Sequence, residues 1–249
     1  MQLLGRKKTN WKLIIIGLIL LITDGCAKSK VDQNNDLGSG DKSNLPVKLE
    51  ILIEHAEYCK NIYDSGGSDR DNVAFEVKQD NGISIIVIRG TANAENVQSD
   101  IDVRLVTDDD LGIRLHRGFR DASVTVMSGI DESSLEKTVH VTGHSLGGAI
   151  AQIIGMWLHR KDHNVQIFSY GSPKVSSQVL SSGQPTHWRV VRRSDPIPFT
   201  PMWPYAHTGL FIDSVSLDWG PDNDNGLISK TDGLDHAIAK YVETLKANK

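Results

Sequence analysis

An α/β domain with a mostly parallel central sheet and helices on both faces is the architecture this sequence predicts, and three observations predict it. Short β-branched runs at 83–88, 138–142 and 165–170 alternate with stretches of helical spacing, the order that builds strand–helix–strand units. The first run, ISIIVI, is almost continuously apolar, as a strand covered on both faces must be. The second passes through a glycine-rich turn directly into an apolar helix, and chemistry in such sheets gathers at the carboxyl ends of strands. Bulk properties agree. The 249 residues (27.4 kDa) are 39% hydrophobic and 23% charged, a globular balance for one large domain. Two cysteines exclude a disulfide scaffold and a zinc site built of several thiolates. A net charge of −4 gives no footprint for nucleic acid, and no internal repeat appears.

In chain order, the first element is a leader. Arg6, Lys7, Lys8 and Lys12 precede the apolar run 13–22, which falls short of the roughly 20 residues that span a bilayer and reads as an export signal over 1–25. Gly25-Cys26 after that run resembles a bacterial lipoprotein box, although Thr23 and Asp24 stand where such boxes carry Leu and a small residue. Cys26 is therefore the expected lipidation site, with plain secretion and an uncleaved anchor as the alternatives. Residues 26–45 hold few apolar side chains among Ser, Gly, Asn, Asp and Lys, so a disordered tether is expected there. Without residues 1–25 the charge becomes −7, because four basic residues and one acidic residue leave. Acyl chains, and not electrostatics, would then tie the domain at 46–249 to a membrane.

Leu49, Leu52, Ile53, Ala56 and Cys59 recur at helical spacing, making a first amphipathic helix in which Cys59 is a small buried hydrophobe. Residues 73–78 alternate as a half-exposed strand and 83–88 form the buried one. A helix over about 119–130 leads to the strand 138–142. A second helix covers about 148–160 and is followed by strands 165–170 and 188–191. The last helix is expected to begin near Asp235.

At the end of strand 138–142 stands Gly143-His144-Ser145-Leu146-Gly147-Gly148-Ala149, then Ile150, Ala151, Ile153 and Ile154. This is G-x-S-x-G between strand and helix, the nucleophile elbow of α/β-hydrolases. A serine on so sharp a turn occupies strained backbone, and small neighbours keep the turn from clashing. The helix behind it turns amide hydrogens toward a developing oxyanion. Serine needs a base, and the base an orienting acid, in the chain order Ser, acid, His. Asp195 follows strand 188–191 and is fixed by Pro196, whereas Asp213 and Asp218 read as solvated strand-edge charges. Downstream, His236 at the head of the last helix is the preferred base and His207 the rival. His144 is expected to point away from the nucleophile. His55, His116, His140, His159, His163 and His187 have no partner at metal-ligand spacing.

Seven ordered segments resemble the class 3 (fungal-type) lipases. Ile88-Arg89-Gly90-Thr91 resembles F-R-G-[ST], with Ile88 in place of Phe. Asp100-Ile101 resembles the D-L that follows, and His116-Arg117-Gly118-Phe119 resembles H-x-G-F. Residues 143–149 match G-H-S-L-G-G-A throughout, and 169–175 resemble T-F-G-x-P-R-V. Ser194-Asp195-Pro196-Ile197-Pro198 resembles N-D-x-V-P, and Tyr205 to Gly209 resemble Y-x-H-x-G. The resemblance implies Ser145 as nucleophile, Asp195 as acid and His236 as base, with His207 structural. It also implies an oxyanion hole from the Thr91 and Leu146 amides. The implied reaction is hydrolysis of lipid carboxylic esters through an acyl-enzyme, by a triacylglycerol lipase, phospholipase A or esterase, with no cofactor or metal required. The implied partners are an ester substrate and, through the acyl anchor, a membrane, with no nucleic acid and no obligate protein partner.

The segment 93–105, where the family carries a lid, has only a thin stripe of Ala94, Val97, Ile101 and Leu105, so strong activation at oil–water interfaces is not expected. Asp108-Asp109-Asp110 reads as a solvated acidic turn. Phe199, Met202, Trp203 and Tyr205 are candidates either for an acyl-binding wall or for the packing of a proline-rich loop. An acyltransferase on the same triad and a non-enzymatic surface lipoprotein are the competing functions.

Overall fold

A computed structural model describes residues 39–70, 73–90, 104–178, 183–221 and 233–249. The export signal, Cys26, most of the tether, Thr91 and the lid segment up to residue 103 lie outside the described residues.

The sheet has eight strands: β1 (Ser68–Arg70), β2 (Val73–Asp80), β3 (Ile83–Ile88), β6 (Thr138–His144), β7 (Asn164–Tyr170), β8 (Thr186–Val191), β9 (Leu210–Asp213) and β10 (Trp219–Gly220), adjacent in that order. Pairing is parallel from β3 through β9 and antiparallel at both edges. The β2–β3 hairpin turns on Asn81-Gly82, both at positive φ (48° and 78°), the conformation an Asn-Gly turn supplies at little steric cost. A separate two-stranded ribbon, β4 (Leu105–Asp108) with β5 (Ile113–His116), precedes the second helix.

Side-chain alternation sorts the apolar residues onto two faces. Ile86, Ile88, Val139, Val141, Val165 and Ile167 pack with α2 (Arg117–Met127) and α3 (Leu146–Arg160). Phe168, Tyr170, Val190 and Ile212 pack under α1 (Leu49–Ser65) and α4 (Ile238–Ala247). Helices thus cover both faces, as the β-branched runs predict. Because α3 is buried from Gly147 to Leu158, it needs no polar stripe, and its sequence has none. Cys59 is fully buried, with Sγ 3.3 Å from Thr142 Oγ1, and burial pushes its thiol up to about 12. It is an inert packing group.

Three expectations are corrected. The described end of the expected tether, residues 39–45, is part of the fold: Gly40 exchanges backbone hydrogen bonds with Trp219, and Asp41 caps a 3₁₀ turn at Lys42–Asn44. Unpaired β10 backbone offers the partner that composition does not reveal. The last helix begins at Ile238, not Asp235. Gly233–His236 form a 3₁₀ turn, and Ala237 is extended (φ −60°, ψ 131°) between the two. Asp108 is not solvated either. It is buried, accepting from Leu111 N (3.0 Å), Arg120 Nε (2.9 Å) and Trp157 Nε1 (3.2 Å), so it ties the ribbon to α2 and α3.

Candidate active site

The site grows out of the β6–α3 junction. Ser145 has φ 58° and ψ −129°, a conformation that costs a non-glycine residue on the order of 1–3 kcal/mol and persists only where the surroundings enforce it. They do so here. Ser145 N donates to Tyr170 O (2.9 Å), and Ser145 O accepts from Gly148 N (2.9 Å) in the first turn of α3. The glycines on either side leave the room this turn needs. A Cβ on Gly143 would stand 2.2 Å from Gly147 O, and one on Gly147 would stand 2.2 Å from Ile88 O. The first amides of α3 lack intrahelical acceptors and bring partial positive charge to the serine.

Asp195 arrives on the loop after β8 and His236 on the turn before α4. His236 Nδ1 lies 2.7 Å from Asp195 Oδ2 and Nε2 lies 2.8 Å from Ser145 Oγ. With Nδ1–H donating to the carboxylate, Nε2 is left to accept the serine O–H. All three residues are buried, at 6%, 0% and 7% exposure for Ser145, Asp195 and His236. Asp195 is fully partnered: Oδ1 accepts from Ile197 N (2.9 Å), and Oδ2 also accepts from Tyr241 Oη (2.6 Å). Burial first, and the Asp195 charge second, hold the Tyr241 phenol well above its ordinary value, so it stays a donor.

Sequence reasoning missed two contacts. Tyr241 reads as an apolar-stripe residue of the last helix, and its hydroxyl reaches Asp195 only through the tertiary fold. His144, whose ring lies 4.6 Å from that of His236, is not idle either. Its Nε2 donates to His236 O (2.7 Å), so Nδ1 is the acceptor for Tyr63 Oη (2.9 Å). Burial holds His144 at about 3, with the neighbouring His236 a smaller cause. It is a neutral strut behind the His236 turn.

The rivals have other duties. His207 Nε2 donates to Pro198 O (2.5 Å) and fastens the loop after Asp195. Asp213, far from being solvated, is buried and accepts from Arg193 Nε (2.6 Å) and Val215 N (2.8 Å). Asp218 is exposed and accepts from Ser216 Oγ (2.8 Å). His55 and His187 are buried, beside His140 (3.1 Å) and Ser169 Oγ (2.8 Å) respectively. Of the proposed acyl wall, Tyr205 is buried and Phe199 half-buried, whereas Met202 and Trp203 face solvent among the described residues. Among the described residues no cluster of three His, Cys, Asp or Glu could hold a metal ion, and no helix is long and apolar enough to cross a membrane.

The model of the lipase (class 3) family matches residues 85–205. A secreted mono- and diacylglycerol lipase of Fusarium solani is 31% identical over 150 residues, covering 54% of this chain and 45% of that protein. A lipase of Rhizomucor miehei is 28% identical over 144 residues, covering 50% of this chain and 39% of that one. The chain thus spans less than half the length of these two curated relatives. Among solved structures, Rhizomucor miehei triacylglyceride lipase matches with a TM-score of 0.61 at 21% identity, over 80% of this chain and 95% of the other. A triacylglycerol lipase with a serine protease triad as its catalytic centre matches with a TM-score of 0.58 at 19% identity, over the same shares of each chain. The fold is therefore the α/β-hydrolase fold.

Proposed function

We propose that this chain is a class 3 lipase-family serine hydrolase that cleaves carboxylic esters of lipids. The single observation that carries the reading is the unbroken hydrogen-bond chain from Ser145 Oγ through His236 to Asp195, set on a strained elbow within the span the family model matches.

In the proposed reaction, Ser145 Oγ attacks the ester carbonyl while His236 Nε2 takes its proton, and Asp195 stabilises the imidazolium. The oxyanion is held by the Leu146 amide at the head of α3 and by the Thr91 amide. Collapse releases the alcohol, which leaves with the His236 proton. A water deprotonated by the same imidazole then frees the acid and restores Ser145. Residues 1–25 would export the protein, and lipidation of Cys26 would hold it at the cell envelope. The kinship with a relative named as secreted supports export.

The test is hydrolysis of p-nitrophenyl esters from C2 to C16 by the full chain beside Ser145→Ala. A serine-dependent rate that falls about a thousandfold or more in the variant is the expected result. Equal rates, or failure of a fluorophosphonate to label Ser145, would overturn the reading.

A further inference from the structure

The segment from Ile197 to Gly209 joins Asp195 to β9 and contains no Asp, Glu, Lys or Arg, in a chain that is 23% charged. Its basic side chain, His207, is buried and kept neutral, first by desolvation and then by nearby Arg189. At its tip stand the two most exposed large apolar side chains among the described residues, Met202 at 60% and Trp203 at 92%. The tip is nonetheless fastened from behind. Lys174 N donates to Thr200 O (2.7 Å), Tyr205 N to Met202 O (3.2 Å) and Ala206 N to Ser176 O (2.9 Å). Pro198, Pro201 and Pro204 stiffen the segment, and Pro196 precedes it. Tyr205 is buried beneath it, with its ring 5.6 Å from that of His116.

We propose that Met202 and Trp203 form a preformed wedge that inserts into the surface of a neutral or zwitterionic lipid aggregate, on the sheet edge that carries Asp195. The proposal rests on the lipid-ester reading above and adds the place where the lipid surface is met. Trp and Met are the side chains that a water–lipid boundary accepts, the indole because it combines an apolar body with one N–H donor. A protein partner would be met by a polar rim around an apolar centre, and the segment Ile197–Gly209 itself supplies no charged side chain for one. The acidic balance of the chain offers no pull toward anionic lipid, so insertion of apolar side chains has to supply the attachment. A tip already ordered before contact loses little conformational entropy on inserting.

The experiment uses the full chain carrying Cys26→Ser, so that no acyl anchor contributes, with and without Met202→Gln/Trp203→Gln. Tributyrin is supplied below and above its solubility limit, giving one substrate in monomeric and droplet form. The double variant should keep its monomer rate within about twofold and lose about fivefold or more of its droplet rate. In parallel, phosphatidylcholine vesicles should shift the tryptophan emission of the Ser145→Ala protein to the blue, and most of that shift should vanish in Ser145→Ala/Trp203→Phe. Equal loss on both substrate forms would make the tip part of the ester pocket and overturn the proposal. No loss on droplets, with no Trp203-dependent shift, would overturn it as well. If neither form is turned over, the hydrolase reading has failed, and the emission experiment still decides whether the tip enters lipid.

Discussion

At Ser145 a positive φ, a buried imidazole and a buried carboxylate meet within two hydrogen bonds, and each imposes a separate expectation. Replacing His236 by Ala removes the acceptor of the serine proton. Replacing His207 by Ala removes a loop fastening to Pro198 O and leaves the Ser145–His236–Asp195 chain in place. The first variant should lose several orders of magnitude in kcat and the second less than about tenfold, in proteins with matching circular dichroism. Comparable losses would reassign the base. Tyr241 offers a finer probe, since its hydroxyl shares Asp195 Oδ2 with His236. A hydrogen bond to a charged group contributes about 1.5–3 kcal/mol, so Tyr241→Phe should lower kcat by roughly tenfold or somewhat more while leaving KM near its original value. A rise in KM with kcat intact would mean that Tyr241 only packs α4.

The β6–α3 junction depends on how closely two elements approach. Gly147 sits under β3 with no space for a methyl group, because a Cβ would lie 2.2 Å from Ile88 O, a backbone atom that cannot swing away. Gly147→Ala should therefore push α3 off the sheet, costing on the order of 3 kcal/mol and nearly all activity. Urea titration beside an ester assay checks both, and a variant of unchanged midpoint would refute the contact. Much at this scale was legible in the sequence, and the reasons are physical. The 83–88 run is a strand because six apolar or small side chains must alternate between two covered faces, and the elbow shows itself because strain leaves glycines on both sides of the serine. What escaped were elements too short for periodicity to act on. The β4–β5 ribbon has four residues a strand, and β10 has two. The onset of α4 was misplaced for another reason. The chain 233–237 has no helix-breaking residue after Gly233, yet Ala237 is held extended while the His236 carbonyl is engaged by His144, a residue 92 positions away.

Across the whole molecule, the fold buries imidazoles on both sides of its sheet. His55 is stacked on Phe168 at 3.8 Å, His187 is bonded to Ser169, His144 braces the His236 turn and His207 braces the loop after Asp195. Desolvation holds His55, His144 and His187 at about 3 each, and His207 well below its ordinary value. His140 adds to it at His55, His236 at His144, Arg189 at His187, and Arg189, Lys174 and His187 at His207. In the unfolded chain these groups titrate near 6.5. Between about pH 6.5 and pH 3 the unfolded state therefore binds protons that the folded state refuses, and stability must fall as pH falls through that window. Each histidine contributes at most about 1.4 kcal/mol per pH unit, and above pH 7 the contribution is flat. The urea midpoint should accordingly be level from pH 8 to 7 and drop steeply from 6.5 to 5. His187→Gln should lower the midpoint at pH 8 yet make the descent shallower, because one proton fewer is taken up on unfolding. A midpoint that stays constant down to pH 5 would mean that these imidazoles can charge inside the fold, and the neutral strut assigned to His144 would fall with it.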